Sequence, residues 1–445
     1  MRDRTHAKEI ALAKERCFLC SVVTPDRLIP GENPLEEIGR LVDTAGGEVA
    51  GEIFQRLERP VSSSYFGKGK LQEIAEAALA NKADTIVVDD DLTAKQLSAI
   101  ENACSLKVID RNEVILDIFQ ANAQTSQAKL QVELAQLQYE LPRLARKWTH
   151  LERLGGGIGT RGPGESQIET DRRLLRGKIS ALKRSLAEIE ARKEREVSNR
   201  TALFSSCLVG YTNAGKSSLL NRLTQAGALV EDRLFATLDT LTRRLDCGDG
   251  LEILISDTVG FIRRLPHHLV ASFHATLEEA AKSDILILVV DASDPLAMIQ
   301  IDSVIKTLEE IGIADLPRVY ALNKVDNDNA TPGTIEALSK RFSPAFPVSA
   351  HTGEGIDALV AFLKARAEKG MRRVKLRFNS GDGRRFALLN EIAVVLDTAY
   401  DESDVIVTVR INPADLERIR RLPGRMKLDK GRSSAAKEAA ATEKE

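Results

Sequence analysis

The stretch GYTNAGKS, Gly210 to Ser217, spaces two glycines, a lysine and a hydroxyl as G-x-x-x-x-G-K-[ST]. An apolar run precedes it and the helical pattern SLLNRLTQ follows, which is the strand–loop–helix setting the pattern requires. Glycines let successive backbone N–H groups curl round a phosphate with a helix N-terminus behind them. Lys216 would bring positive charge to the β- and γ-phosphates, and Ser217 a hydroxyl to Mg²⁺. The expected cradle is Gly210, Tyr211, Thr212, Asn213, Ala214, Gly215, Lys216, Ser217 and Ser218. Further on, DTVG (Asp257, Thr258, Val259, Gly260) ends an apolar strand pattern. It offers a carboxylate for Mg²⁺ and, at Gly260, an amide for a γ-phosphate. NKVD ends a later strand and SAHTG the last one. Asp326 can accept hydrogen bonds from N1–H and the 2-amino group of guanine, donors that adenine lacks. Asn323 would fix the loop, Lys324 would lie over the ring, and the turn at Ser349, Ala350 and His351 would present a backbone N–H to the guanine oxygen. Four motifs in this order on strand ends specify a guanine-nucleotide site, with GTP, GDP and Mg²⁺ expected there.

The reacting end is less complete. Phe261 stands where many small GTPases carry a water-orienting Gln, and a phenyl ring cannot hydrogen-bond water. Slow hydrolysis by the isolated protein is expected, with apolar packing as the plain alternative for this ring. Asn213 either bonds its own loop backbone or helps bind K⁺ beside the phosphates, adding positive charge. FATLDTLTRR offers Thr237, Thr240 and Thr242 as a further Mg²⁺ ligand; Thr237 is expected, with Phe235 counted among the nucleotide-contacting residues. Lys216, Thr237, Gly260 and Phe261 are thus the candidate catalytic positions, and Ser217, Thr237 and Asp257 the candidate metal ligands.

These motifs need a mainly parallel sheet to carry them, and residues 201–369 supply its βα alternation. The whole chain reads as a multidomain α/β protein. An N-terminal α/β domain spans 1–123, with strand patterns such as CFLCSVV and DTIVVDD between helical ones. A long antiparallel helical hairpin spans 124–200, its first helix bent or broken at Pro142. After the P-loop GTPase domain comes a small C-terminal α/β domain, 370–432, with strands RVKLRF and DVIVTVRI around the helical pattern RRFALLNEIAVVL. A low-complexity tail, 433–445, is expected to be disordered.

GGGIGTRGPG, Gly155 to Gly164, contains a literal G-x-G-x-x-G, but it follows a helical pattern and Pro163 interrupts what comes next. A dinucleotide fingerprint requires a strand before the glycines and a helix after them. Glycines at a hairpin tip instead make a thin loop. Arg161 within it, and Arg172, Arg173 and Arg176 beyond, can meet phosphodiesters. Arg143 to Arg200 holds 15 Lys/Arg against 8 Asp/Glu, while the whole chain of 445 residues carries a net charge of -2. Any nucleic-acid contact must therefore be local, and the excess suits RNA.

GGGIGTRGPGESQIETDRRLL, YFGKGKLQEIA, KLQVELAQL, WTHLERL and GYTNAGKSSLLN together resemble the HflX family of translational GTPases over nearly the whole chain. The resemblance implies a ribosome-associated GTPase that binds the large subunit and its rRNA. It also implies dissociation or rescue of stalled ribosomes under stress, with the hairpin loop reaching toward the peptidyl-transferase centre. Phe261 fits the family, whereas Leu241 stands where relatives often carry a second hydroxyl. A GTP-dependent factor for large-subunit assembly is the alternative. A further reading gives the N-terminal domain an ATP site at YFGKGK, with Lys68 and Lys70, although this is no Walker A.

The longest apolar run, Ile285 to Ala292, is far too short to span a membrane, and MRDRTHAKEIALAKERC lacks a signal-peptide core. Five scattered cysteines suit a reducing cytoplasm. The expectation is a cytoplasmic monomer that associates with ribosomes or peripherally with membrane. Cys17 and Cys20 are expected to be core thiols on opposite faces of one strand rather than a metal site.

Overall fold

The structure, a computed structural model, describes residues 14–29, 32–144, 163–198, 203–225, 234–235, 241–248, 251–264, 279–401 and 403–429. The chain divides into two compact units, and the division falls within one long helix.

In the first unit, four parallel strands, β1 (Arg16–Val23), β2 (Glu48–Arg56), β3 (Thr85–Val88) and β4 (Lys107–Asp110), pair in the order β2-β1-β3-β4. Parallel strands need crossover connections. Helices α1 (Glu36–Thr44), α2 (Lys68–Ala80) and α3 (Ala94–Cys104) supply them. Thr93 and Gln96 form a capping box that starts α3. Helix α4 (Arg111–Asn122) begins directly at the end of β4, where the Asp110 side chain accepts from the Glu113 N–H at 3.1 Å. Cys20 belongs to the core formed with α2 and α3, while Cys17 lies on the other face beside Gly47. Among the described residues no cluster of three His, Cys, Asp or Glu could hold a metal.

Helix α5 (Ser126–Glu140) gives way to a 3-10 turn, Leu141–Arg143, at Pro142, as expected of an imino acid that lacks an N–H. The hairpin tip from Gly155 to Gly162, Arg161 included, lies outside the described residues. Helix α6 (Pro163–Ser198) follows, with Arg172, Arg173 and Arg176 exposed.

The second unit contains a six-stranded sheet in the order β10-β9-β8-β5-β7-β6. Its strands are β5 (Phe204–Gly210), β6 (Leu241–Asp246), β7 (Glu252–Asp257), β8 (Ile285–Asp291), β9 (Arg318–Asn323) and β10 (Ala345–Pro347). All pairs are parallel except that of β6 and β7, so one antiparallel edge closes the sheet. Helices α7 (Lys216–Thr224), α8 (Ala297–Glu310), α9 (Pro332–Arg341) and α10 (Ile356–Glu368) follow its strands or loops. Leu219, Ile253, Ile287, Val319 and Leu359 are among the fully buried residues of its core.

The chain then forms β11 (Arg372–Asn379), α11 (Gly383–Ile392), β12 (Ala393–Asp401), β13 (Asp404–Ile411), α12 (Pro413–Arg420) and β14 (Met426–Asp429). These pair antiparallel in the order β12-β13-β11-β14, the βαββαβ arrangement of a ferredoxin-like domain. Here the sequence reading needs correction. AVVL continues the apolar spacing of the helix before it, yet the helix stops at Ile392 and Ala393 opens a strand paired to β13. Val394 and Val395 are β-branched, and the strand lets them pair across β13 while Val394 packs into the core of the six-stranded sheet. Among the described residues no helix is long and apolar enough to cross a membrane.

Candidate active site

Strand β5 runs through the middle of the six-stranded sheet and delivers the chain into the loop Gly210–Gly215. A Cβ at Gly210 would stand 2.3 Å from the Val289 carbonyl oxygen, and one at Gly215, where φ is +89°, 2.2 Å from Asn323 Nδ2. Both glycines are therefore required by packing as well as by any phosphate approaching the backbone. The Asn323 contact has a purpose of its own. Its Nδ2 donates to the Ala214 carbonyl at 2.9 Å, and its Oδ1 accepts from the Ala350 N–H at 3.0 Å. One buried amide thus ties the phosphate loop to the turn expected to meet the base.

Lys216 opens α7 and is buried, its Nζ donating to the carbonyls of Tyr211 at 2.8 Å and Gly210 at 3.3 Å. Burial lowers its pKa to about 8, with the Asp257 carboxylate opposing the shift. Ser217 Oγ donates to Asp257 Oδ2 at 2.6 Å, so the two candidate Mg²⁺ ligands with described positions are in contact. Thr258 Oγ1 donates to the Leu208 carbonyl at 2.7 Å and pins DTVG against β5. A Cβ at Gly260 would lie 2.8 Å from Thr212 Cα and 2.9 Å from Lys216 Nζ. That close approach leaves room only for glycine, beside the charge that would meet a γ-phosphate.

Phe261 continues this contact through its backbone. Its N–H donates to the Gly210 carbonyl at 3.0 Å, and its carbonyl accepts from the Thr212 N–H at 2.7 Å. The ring is 2 % exposed, so it packs and presents nothing to a water. The next tie is the Arg263 N–H, which donates to the Tyr211 hydroxyl at 2.9 Å. Asn213 is exposed with φ +61°, a left-handed conformation that asparagine tolerates well.

At the other end, a cleft of about 530 Å³ is lined by Gly215, Ser218, Asn323, Lys324, Asp326, Ala350 and His351, together with Asn221, Arg222 and Asn327. A hydrogen bond from Ser349, and the nearby His351 imidazole, hold the Asp326 carboxyl below its usual range. It is an acceptor at neutral pH, as guanine recognition requires. Two participants were missed in the sequence. Asp291, at the end of β8, pairs with Lys324 Nζ at 2.6 Å and so aims the side chain expected over the base. Arg222, two turns into α7, donates to the Thr352 carbonyl and steadies the SAHTG loop. An acid ending the run ILILVVD was the only available signal for Asp291, and Arg222 had none.

Other expected residues fall elsewhere. Thr237 and Thr240 lie outside the described residues, and Thr242 is a strand residue of β6 whose Oγ1 is 2.9 Å from Ser256 Oγ. Phe235, expected to contact nucleotide, has its ring buried in the first unit. It stands edge-on to Phe119 at 4.8 Å, so its side chain is not available to a ligand. In the N-terminal domain, Lys68 and Lys70 occupy the first turn of α2, and Lys70 is paired to Glu73 at 2.9 Å. A separate cavity of the first unit, about 490 Å³ and formed by α4, α5 and the turn after it, is lined by Glu113, Asp117 and Glu140 beside Arg143, a set poorly matched to a triphosphate.

The models of three families cover most of the chain. GTP-binding GTPase N-terminal matches residues 32–120, GTP-binding GTPase Middle Region matches 122–200, and 50S ribosome-binding GTPase matches 205–324. GTPase HflX of Lacrimispora saccharolytica is 41% identical over 418 residues, which covers 94% of this chain and 97% of that one. The chain belongs to the HflX family. Another member, GTPase HflX of Escherichia coli, is 41% identical over 390 residues, 86% of this chain and 91% of its own. A crystal structure of a GTP-binding protein from Sulfolobus solfataricus in complex with GDP aligns over 79% of this chain and 98% of its own, at 27% identity and a TM-score of 0.41. This HflX chain is a GTPase that binds GTP and GDP and hydrolyses GTP to GDP and phosphate.

Proposed function

We propose that this HflX GTPase binds the large ribosomal subunit and its rRNA, and uses its GTP cycle to dissociate or rescue stalled ribosomes under stress. The observation that carries the reading is the middle region. Residues 122–200 match the GTP-binding GTPase Middle Region model, and α6 sets Arg172, Arg173 and Arg176 in solvent within a basic stretch. Solvent-exposed guanidinium groups suit phosphodiesters, which accept paired hydrogen bonds from them. Within the GTPase domain, Ser217 and Asp257, with Thr237, would hold Mg²⁺, and the ion would neutralise charge on the phosphates. Asn213, in the phosphate loop, would border a K⁺ ion. Asp326 selects guanine, Asn323 locks the loop that carries the selection, and Lys216 meets the terminal phosphates.

With Phe261 buried, no side chain at that position orients water, and the isolated protein turns over slowly. The ribosome would complete the site. Measuring GTP turnover with and without purified large subunits tests this. Stimulation of about a hundredfold or more is expected, within the range that trans-acting partners give other GTPases. An unchanged rate would remove the ribosome from the reading. Sedimentation separates the two ribosomal roles: a rescue factor travels with mature subunits, an assembly factor with immature ones.

A further inference from the structure

The turn expected to meet the base is held as a ring over residues 349–354. The Ser349 N–H donates to the Glu354 carbonyl at 2.9 Å, and the Gly353 N–H to the Ser349 carbonyl at 2.8 Å. Ser349 is fully buried, and its hydroxyl accepts from the Thr352 N–H at 2.9 Å. The same hydroxyl bonds to the Asp326 carboxylate. The place of Asp326 therefore depends on Thr352 through a single buried oxygen.

Thr352 is held in its turn from α7, since Arg222 Nη2 donates to its carbonyl. Gly353 follows with φ +93° and no side chain, so the guanidinium lies close against its backbone. A Cβ there would stand 2.2 Å from Nη2 and 2.8 Å from Cζ and Nε. Arg222 also lines the cleft that holds Asp326 and Ala350. Helix α7 begins at Lys216 and Ser217, so the element expected to carry the phosphates carries this anchor too. Asn323 ties the phosphate loop to the start of the turn at Ala350, and Arg222 ties the helix to its far side at Thr352. All these residues belong to the second unit.

We propose that Arg222 is a positioning residue for guanine: by fixing Thr352 it holds Ser349, Asp326 and the backbone of the turn at the spacing the base requires, and so slows the release of GDP. The inference rests on the reading of Asp326 and this turn as the base site. A turn fixed before the nucleotide arrives gives up less conformational entropy when the base binds. That gain reaches only ligands whose base makes contacts with the turn or with Asp326, so the effect must differ between bases.

The test compares GDP with purine riboside diphosphate on full-length protein, by displacement of fluorescent GDP and by stopped-flow release. Purine riboside diphosphate keeps the ring, ribose and phosphates but lacks the oxygen, the N1–H and the amino group of guanine. Arg222→Ala should weaken GDP about fivefold, the net scale of one hydrogen bond, mainly through faster release, and leave purine riboside diphosphate within about twofold. Arg222→Lys, which keeps the charge but not the planar fork, should recover part of the GDP loss. A purely structural role would weaken both ligands alike; equal losses, or an unchanged GDP affinity, would overturn the proposal. Arg222 is exposed on α7, and should the alanine variant nonetheless fail to fold, the lysine variant decides by the same ratio. The parent protein tests the underlying reading separately. If it binds the two ligands equally well, the turn is not a base site, and the inference falls with that reading rather than through Arg222.

Discussion

Asp326 and Lys216 would divide the nucleotide between them, and each supports a distinct expectation. Asp326→Asn replaces an acceptor with a group that can donate, matching xanthine rather than guanine. GTP affinity should fall about a hundredfold, the loss of two hydrogen bonds to a charged acceptor, while XTP binding rises. Competition binding with both nucleotides reads this, and unchanged preference for GTP would remove Asp326 from base recognition. Lys216 bears on proton balance. Its ammonium is depressed to about 8 by burial, and phosphate oxygens would raise it again. Nucleotide binding above that pH should therefore take up a proton, and affinity should fall by at most about tenfold per pH unit. Calorimetry in buffers of different ionisation enthalpy measures the uptake, which Lys216→Ala should abolish. Stability has the opposite sign: between the depressed and ordinary values the unfolded chain holds the extra proton, so this residue's destabilisation is relieved as pH rises through that window. Most of these residues were legible in the sequence because their chemistry and spacing are local to strand ends. Asp291 and Arg222 were not, since each works through a contact between segments far apart in the chain.

Elements were legible where periodicity and capping agreed. The strands CFLCSVV and DTIVVDD emerged at β1 and β3 because buried parallel strands are short, continuous apolar runs. Helix α4 was hidden by its own cap: Asp110 ends a strand and starts a helix with no polar loop to mark the change. Strand β12 was hidden by an apolar run that fits either period, and only pairing with β13 decides it. The ferredoxin-like domain then depends on a residue that no periodicity announces. Arg385 is 1 % exposed; it pairs with Asp382 at 2.5 Å and donates to the carbonyls of Leu422 at 2.9 Å and Pro423 at 3.2 Å. One guanidinium thus fastens the chain between α12 and β14. Arg385→Ala should cost about 3 kcal/mol or more, the scale for breaking a buried charged pair, since it also strips the loop carbonyls of their donor. Hydrogen exchange should show residues 413–429 opening first, and protection equal to that of the parent would remove Arg385 from this role.

At the scale of the whole molecule, a net charge of -2 conceals the basic stretch around α6, so binding to RNA must be sought in its salt dependence. If α6 meets phosphodiesters, affinity for ribosomal subunits should fall steeply between low and moderate salt. Replacing Arg172 and Arg173 together by Ala should reduce the slope of log affinity against log salt by about 1 to 2. An equal slope in parent and variant would place the contact elsewhere. The cysteines have a consequence of another kind. Burial raises all five thiols above their ordinary range, Cys17 and Cys104 to about 11, with Cys20 and Cys207 wholly enclosed. Few thiolates exist at neutral pH, and at Cys20 and Cys207 alkylating or oxidising reagents must wait for the fold to open. Cys20 therefore acts as a clock for breathing of the N-terminal sheet, and Cys207, one residue from the Leu208 carbonyl that anchors DTVG, as a clock for the nucleotide site. The same concealment shields Cys20 and Cys207 from oxidants for as long as the fold stays closed.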